Sequence, residues 1–173
     1  RTTAAKNQVI INQRSAAVYN GEYMLGLTAQ GKVNWFTYGN SGAAGFNLES
    51  ARAVNDGRWH HVAALRDQDG SAFIYVDGTL DASLVNTDMS KIAPLVATNV
   101  YIGADIRDHA QFFDGTIDEV QIRRYALSAA EIGVLMGWAP RFQLHLEEAA
   151  GVSSFADDTE LGHVVTCSGN NCP

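Results

Sequence analysis

Basic residues are scarce in this chain, and long apolar runs are absent from it. Twelve Lys and Arg residues face 19 Asp and Glu residues, so the formal charge is 12 − 19 = −7. A nucleic-acid-binding surface needs a basic patch, and anionic membranes attract basic segments, so this balance argues against both partners. No apolar run approaches the roughly 18 residues of a membrane-spanning helix, so no membrane insertion is expected. The chain begins at Arg1 rather than Met, which we expect of a processed chain or a piece of a longer one.

Cysteine is also sparse. The two cysteines, Cys167 and Cys172, are separated by four residues that include a Gly and two Asn. This spacing excludes a Cys-x-x-Cys redox motif, and two ligands cannot complete a zinc site. The intervening residues allow the chain to turn back so that the two sulfurs meet. A disulfide is predicted in an oxidising compartment and two free thiols in a reducing one.

Short stretches with strand character, separated by turn signals about every 8–12 residues, make up most of the sequence. The predicted strands are Gln8–Asn12, Tyr23–Thr28, Lys32–Tyr38, Gly45–Glu49, Trp59–Arg66, Ala72–Val76, Asn99–Gly103 and Gly115–Tyr125. Asp-Gly pairs begin at Asp56, Asp69 and Asp77. These residues tolerate the positive φ that tight hairpin turns require. The pattern predicts an all-β chain with antiparallel sheets.

One short helix is predicted near the end of this β-rich region. Ser128 and Glu131 have the spacing of a capping box, in which each side chain accepts a backbone N–H at the helix start. The helix is predicted to cover about residues 129–136 and to end at Gly137. A helix of this length is not stable alone, so we expect it to pack on a sheet.

The segment after the helix alternates between apolar and polar residues. Phe142, Leu144 and Leu146 occupy every second position, with Gln, His and Glu between and after them. Period-2 alternation predicts a half-buried strand that needs a sheet to join. A polar stretch follows, and His163–Thr166 is predicted as a further short strand.

Several motifs in one order resemble the concanavalin A-like, laminin G-like jelly rolls of secreted and surface proteins. They are Asp56-Gly-Arg-Trp-His-His-Val-Ala63, Phe73-Ile-Tyr-Val-Asp-Gly78, Tyr101-Ile-Gly103, Phe113-Asp-Gly-Thr-Ile-Asp-Glu-Val120 and Ala126-Leu-Ser-Ala-Ala-Glu-Ile132. Each motif alone is weak, but the series is specific and covers roughly residues 8–136. The resemblance implies a two-sheet antiparallel jelly-roll sandwich, an extracellular or cell-surface location, and a concave face that often binds ligands.

The chain departs from the family pattern at its ends. The family's opening strand resembles a Leu-x-Leu-x-Glu run followed by an Asp-rich turn. Here that signature stands near the carboxyl terminus, in Leu144–Glu148 and Phe155–Thr159. We therefore interpret residues 1–138 as a jelly roll lacking its opening strands, and residues 139–173 as an extension that resembles the opening of a jelly roll.

This displaced strand suggests three alternatives. It docks in its own sandwich, it completes a neighbouring subunit, or it begins the next repeat of a tandem array divided at this point. Docking in a neighbour makes a head-to-tail contact, which generates rings or filaments. The first functional hypothesis is therefore a non-catalytic extracellular structural subunit that assembles with itself or with adjacent repeats. The second is a glycan-binding or adhesion module, with calcium as a candidate requirement.

The sequence does not favour an enzyme. Concanavalin-like polysaccharide hydrolases need two carboxylates that project from one face into a cleft. Asp118 and Glu119 are adjacent and so point to opposite faces of a strand, and the same holds for Glu147 and Glu148. His60 and His61 are adjacent as well and cannot chelate one metal ion from a regular strand, so hydrogen bonding is expected of both.

One structural Ca²⁺ is implied by the resemblance, because relatives of this fold often hold such an ion on an aspartate of a similar strand. Asp118, with Glu148 or Asp158, is the candidate ligand set here. Strand parity directs Asp118 toward the core, where a carboxylate needs either hydrogen-bond partners or a cation. The alternative is that backbone N–H groups or an Arg satisfy Asp118.

Trp35 and Tyr38 are the candidate residues for stacking on a sugar ring. They have opposite parity on one predicted strand, so one of them faces outward while the other faces the core. The alternative is that both aromatic residues simply supply buried area.

Overall fold

The computed structural model describes residues 1–14, 22–38, 44–85, 99–105, 111–137, 154–156 and 164–166. Their strands are β1 (Gln8–Gln13), β2 (Glu22–Leu27), β3 (Lys32–Tyr38), β4 (Ala44–Ala53), β5 (Val62–Arg66), β6 (Ala72–Val76), β7 (Thr79–Leu84), β8 (Tyr101–Ile102), β9 (Ser154–Ala156) and β10 (Val164–Thr166). Their helix is α1 (Ala129–Leu135). The chain divides into two units, residues 1–129 and 130–173.

Five strands of the first unit form one antiparallel sheet in the order β4-β3-β2-β1-β8. The first four are neighbours in sequence as well as in space, so they form an antiparallel meander. The turn between β2 and β3 requires a positive φ, and Gly31 adopts it at 76°. Glycine reaches this conformation without steric cost because it has no Cβ atom.

A second antiparallel sheet has the order β5-β6-β7. Asp77 and Gly78 connect β6 to β7 with φ angles of 50° and 69°, as tight hairpin turns need. The strand β7 is not among the predicted strands, although the sequence Thr-Leu-Asp-Ala-Ser-Leu of Thr79–Leu84 alternates in polarity. Four of its six side chains are exposed, so this alternation does not mark a buried face.

The hydrophobic core is built from residues of both sheets. Its buried members are Leu27, Val33, Trp35, Phe46, Leu48, Val54, Ala72, Ile74 and Val76. Trp35 and Phe46 meet edge to face, with ring centroids 4.7 Å apart and an interplanar angle of 81°. Burial of one such side chain stabilises a fold by about 1.5–3 kcal/mol. The prediction of an all-β, two-sheet antiparallel sandwich with one short helix is confirmed.

The predicted strand Gly115–Tyr125 is wrong, because the structure assigns no strand to residues 111–128. Arg1 and Thr116 exchange two backbone hydrogen bonds of 2.8 and 3.0 Å, which pairs one position of this segment. No strand of the described part of the chain pairs with the segment beyond Thr116. Glu119 also has a φ of 49°, which breaks the extended conformation.

As a result, the apolar side chains of this segment are exposed. Val120, Ile122 and Tyr125 are 40%, 61% and 62% exposed. Alternating residues form a strand only where a neighbouring strand supplies backbone partners and an apolar face. Residues 117–125 lack such a neighbour among the described residues, and we call them the uncovered segment.

The helix α1 agrees with the sequence prediction within one residue. The Met136 N–H donates to the carbonyl of Ile132 at 3.1 Å, and Gly137 follows with a φ of 80°. A glycine with positive φ is a common helix end, so the predicted stop at Gly137 is confirmed. Ile132 is buried. In the described parts of the chain, no helix combines the length and the apolarity needed to span a membrane.

In the second unit, β9 and β10 form an antiparallel pair in which Phe155 lies opposite Val165. The strand β10 confirms the short strand predicted at His163–Thr166. The alternating Phe142, Leu144 and Leu146 lie outside the described residues, as do Cys167 and Cys172. The predicted strand and disulfide at these positions stay predictions.

Candidate functional site

The strand β3 divides its side chains between the core and the opposite face of the five-stranded sheet. Val33, Trp35 and Thr37 are buried, whereas Asn34, Phe36 and Tyr38 are half-buried. Trp35 is 9% exposed and belongs to the core cluster. This corrects the prediction for Trp35, because an interior ring is not available for stacking on a sugar. Tyr38 lies on the outward side, as its opposite parity requires.

The pairing register shows which residues of β1, β2 and β4 lie on the same side of the sheet as Tyr38. Asn12 pairs with Met24, Met24 with Phe36, and Phe36 with Asn47, so these four side chains form one cross-strand row. In the adjacent row, Asn34 pairs with Glu49. We call this side the outer face. Asn12 and Met24 on it are buried, and its half-buried or exposed residues are Asn34, Phe36, Tyr38, Asn47 and Glu49.

The outer face combines aromatic rings with side-chain amides. The rings of Phe36 and Tyr38 meet edge to face, with centroids 5.3 Å apart and an interplanar angle of 76°. The Asn34 Nδ2 donates to Asn47 Oδ1 at 2.6 Å, and Asn47 is exposed. A side-chain amide has two donor hydrogens and two acceptor lone pairs. The Asn34 Nδ2 also donates to the Leu48 carbonyl at 3.4 Å, so Asn34 keeps its Oδ1 acceptor and Asn47 keeps its Nδ2 donor for a ligand. Such a face suits a ligand that carries hydroxyl groups around an apolar surface.

A buried ionic cluster lies at one end of the outer face. Arg14 follows β1, Glu22 begins β2, and Asp105 follows β8, so three strand ends place these residues together. The Arg14 Nη1 is bonded to the Asp105 carboxylate, and Arg14 Nε lies 3.7 Å from Glu22 Oε2. The side chain of Arg14 is 7% exposed, and those of the two acids are fully buried. One guanidinium and two carboxylates give a formal charge of 1 − 2 = −1.

This cluster also contacts the outer face directly. The Arg14 guanidinium carbon lies 5.8 Å from the centroid of the Phe36 ring, within the range of a cation–π interaction. Its Nη1 lies 4.0 Å from the sulfur of Met24. Arg14 therefore helps to hold Phe36 in position from the inner end of the face.

The cluster was not identifiable from the sequence. Arg14 and Asp105 are separated by 91 positions, and no local pattern connects them. Asp105 begins the sequence Asp-Ile-Arg-Asp-His, a pattern typical of solvated side chains or of weak Ca²⁺ binding. Only the pairing of β8 with β1 brings Asp105 to Arg14.

The candidate metal ligand Asp118 lies in a different environment from the predicted one. Asp118 is exposed and accepts the backbone N–H of Glu119 at 2.9 Å. The expected orientation toward the core is wrong because the predicted strand does not form there. Glu148 and Asp158 lie outside the described residues. Among the residues that the structure describes, no three His, Cys, Asp or Glu side chains are grouped as a metal site.

His60 bridges two carboxylates at the edge of the second sheet. Its Nδ1 lies 2.8 Å from Asp77 Oδ2, and its Nε2 lies 2.9 Å from Asp56 Oδ1. Burial opposes the imidazolium, but the hydrogen bonds to Asp77 and Asp56 outweigh burial and raise the pKa of His60. In contrast, burial lowers the pKa of His61. His60 forms the hydrogen bonds expected of it, and its location connects the Asp56 loop to the β6–β7 turn.

Comparisons with known proteins identify the architecture. The family model of the concanavalin A-like lectin/glucanases superfamily matches residues 1–133, which confirms the resemblance seen in the motifs. The CBM40 of Ruminococcus gnavus IT-sialidase bound to α2,3-sialyllactose is structurally similar, with a TM-score of 0.63 and 22% identity over 79% of this chain and 78% of that chain. The same module bound to α2,6-sialyllactose gives a TM-score of 0.61 at 22% identity, with the same coverage. A search of curated protein sequences found no match.

Proposed function

We propose that this chain, which belongs to the concanavalin A-like lectin/glucanases superfamily, is a non-catalytic glycan-binding module whose binding surface is the outer face. The observation that carries the proposal is the position of Phe36 and Tyr38 beside the amides of Asn34 and Asn47. These four side chains lie on neighbouring strands of one sheet and point to the same side of it.

The chemistry of a sugar matches this surface. A pyranose ring has apolar C–H groups on its faces and hydroxyl groups around its rim. The face of an aromatic ring carries partial negative charge and attracts C–H groups, so Phe36 and Tyr38 provide a platform. Amides donate to and accept from hydroxyl groups in equal measure, so Asn34 and Asn47 provide orientation.

The comparisons support a binding role rather than a catalytic one. The similar modules from Ruminococcus gnavus are named as carbohydrate-binding modules, and two of their structures contain sialyllactose. Asp118 and Glu119 are the adjacent acids, among the described residues, that we considered as the carboxylate pair of a hydrolase. They lie in the uncovered segment rather than on the outer face. We extend the binding role to this chain and place it outside the cell or on its surface, where such glycans occur.

The direct test is a glycan array followed by calorimetry on the strongest ligand. We expect Phe36→Ala to weaken binding at least about tenfold, because the platform loses its central ring. Trp59→Ala is the matched control, since Trp59 is an aromatic residue outside the outer face and is 52% exposed. Equal loss in both variants, or no binding to any glycan, contradicts the proposal.

Calcium dependence is tested in the same assay. The candidate ligands are Asp118, Glu148 and Asp158, and binding is measured with EDTA and after CaCl₂ is restored. Loss of glycan binding in EDTA and its recovery with CaCl₂ support a structural Ca²⁺. Binding that is unchanged in EDTA removes calcium from the proposal and leaves the outer face as the site.

We also propose a second role, self-assembly through strand complementation. The observation that favours it is the uncovered segment, in which Val120 and Ile122 are exposed and unpaired by any described strand. The alternating strand predicted at Phe142–Leu146 of a second copy supplies the missing backbone partners and apolar side chains. Complementary ends on one protomer lead to head-to-tail assembly, which closes into rings or extends into filaments.

Assembly is tested by light scattering and electron microscopy over a range of protein concentrations. We expect Ile122→Lys to abolish concentration-dependent assembly, because a charge in the paired strand must be desolvated. Val85→Lys is the matched control, since Val85 is 66% exposed and lies outside the uncovered segment. A wild-type chain that stays monomeric at every concentration contradicts this role without affecting the glycan proposal.

A further inference from the structure

We propose that the outer face selects uncharged glycans over glycans that carry a carboxylate. This inference rests on the proposed function and specifies the ligand class of the same surface. It distinguishes this chain from the similar Ruminococcus gnavus module, whose structures contain the anionic ligand sialyllactose.

The arginine beside the outer face is already occupied by the protein's own carboxylates. Protein sites recognise carboxylates best through the paired N–H groups of an arginine. Here Arg14 Nη1 bonds Asp105, and Arg14 Nε faces Glu22 Oε2 at 3.7 Å. The Arg14 side chain is only 7% exposed, so a ligand carboxylate has almost no guanidinium surface to reach.

The charges around the face also disfavour an anion. Glu49 is exposed on the outer face, where it pairs in register with Asn34. Lys32 begins β3 and shares the parity of Asn34. Counting these two with the cluster of Arg14, Glu22 and Asp105 gives a formal charge of 2 − 3 = −1. Among the described residues of the outer face, Lys32 is the cation that a ligand carboxylate can approach, and the negative charges of Glu49 and of the cluster outweigh it.

A neutral sugar meets no such penalty. Its hydroxyl groups bond the amides of Asn34 and Asn47 and the carboxylate of Glu49, which accepts strong hydrogen bonds from O–H groups. Its C–H surface lies on Phe36. At one end of the face, Arg14 acts as a positioning residue, because its guanidinium carbon lies 5.8 Å from the Phe36 ring centroid. Glu22 and Asp105 hold that guanidinium.

The test compares matched neutral and sialylated glycans at low salt. The probes are lactose and N-acetyllactosamine, each with its α2,3- and α2,6-sialylated counterpart, measured by calorimetry and on an array that also carries neutral plant and fungal oligosaccharides and uronic-acid polymers. We expect the bound glycans to be uncharged and each sialylated or uronic counterpart to bind at least about tenfold more weakly. Raising the salt concentration should narrow this ratio, because it screens the repulsion.

Two variants test whether charge causes the selection. Glu49→Gln should reduce the ratio of the affinity for a neutral glycan to that for its sialylated counterpart about threefold, because it removes one exposed negative charge from the face. Asp69→Asn is the matched control, since Asp69 is an exposed acid in the β5–β6 turn and should leave the ratio unchanged. The inference is overturned, and the glycan proposal kept, if sialylated probes bind as tightly as neutral ones. Absence of binding to every probe overturns both.

Discussion

Arg14 and Asp105 lie 91 positions apart in the sequence and form an ion pair whose side chains are 7% and 0% exposed. The pair joins the end of β1 to the residues after β8, which is an edge strand of the five-stranded sheet. Glu22 adds a second buried carboxylate to the same guanidinium. The cluster therefore fixes the geometry at one end of the outer face and sets its charge.

Removal of the guanidinium should destabilise the fold strongly. Arg14→Met removes the guanidinium that the buried carboxylates of Asp105 and Glu22 face, and breaking a buried pair in this way costs about 3–5 kcal/mol. Chemical denaturation measures this loss in the free energy of unfolding. Arg58→Met is the control, because the side chain of Arg58 is 84% exposed and solvent screens its ion pair with Asp56, so the free energy of unfolding should change little. An Arg14→Met variant as stable as Arg58→Met would contradict this account.

The bridge formed by His60 should make stability depend on pH. Burial opposes the imidazolium, but Asp77 and Asp56 outweigh it, so the pKa of His60 in the fold lies above the usual 6.5. A group with a raised pKa contributes its stability fully below pH 6.5, and this contribution is lost as the pH rises through the folded-state pKa. The stability difference between wild type and His60→Gln should therefore shrink from pH 6.5 upward.

Nuclear magnetic resonance measures the same effect directly. The imidazole of His60 should titrate above 6.5 and that of His61 below it, because burial lowers the pKa of His61. His61→Gln serves as the control for the stability measurement, since a lowered pKa gives the opposite pH dependence. Identical titration midpoints for the two rings would show that the bridge to Asp77 and Asp56 does not form.

Gly26 should tolerate no side chain. A Cβ atom added there lies 2.5 Å from the backbone oxygen of Gln8 on the paired strand β1. The two strands must separate to relieve this contact, so Gly26→Ala should destabilise the fold by about 1–3 kcal/mol. Gly133→Ala is the matched control, because glycine within α1 costs about 0.5–1 kcal/mol relative to alanine and its replacement should stabilise. Thermal unfolding of the two variants should shift in opposite directions.

Asp81 should anchor the second sheet to β4. Its Oδ2 accepts the backbone N–H of Ala51 at 2.6 Å and that of Arg52 at 3.0 Å, and its Oδ1 accepts Arg52 Nε at 2.5 Å. Burial tends to raise the pKa of Asp81, but these hydrogen bonds outweigh burial and lower it. The contribution is present above the usual pKa of 3.8 and is lost as the pH falls through the lower folded-state value.

The corresponding variant is Asp81→Ala, for which we expect a loss of about 1.5–3 kcal/mol near neutral pH from the charged hydrogen bonds. Acid titration of the free energy of unfolding measures the pH dependence. The acid-side slope should be shallower in the variant than in wild type. Asp69→Ala is the control, since Asp69 is an exposed turn residue. Parallel acid-side slopes in wild type and Asp81→Ala would refute the anchoring role.

A strand predicted from local sequence patterns forms where at least one of its pairing partners is also a predicted strand. The strands Lys32–Tyr38 and Ala72–Val76 begin and end where strand-forming residues and the flanking turn signals place them, and both lie in the middle of an antiparallel pairing. The helix α1 also follows its capping signals. Gly115–Tyr125 has the same kind of pattern but no strand partner among the described residues, so its alternation does not lead to a strand there.

The outer face was predictable only in part. Strand parity shows that Trp35 and Tyr38 face opposite sides, but both are aromatic, so parity does not identify the core side. The packing of Trp35 against Phe46 decides it. The exposure of Phe36 was not predicted, for a related reason. Its exposure depends on what covers each side of the sheet, and that is a property of the assembled sandwich.

The sequence by itself determined the antiparallel β architecture, the position of the helix, and membership of the superfamily, because alternation, turn residues and capping act over a few neighbouring positions. The tertiary structure alone decided which side of β3 is buried and that Arg14 meets Asp105 and Glu22. These contacts join strands distant in sequence, and their free energy depends on desolvation and charge that exist only once the sheets have packed.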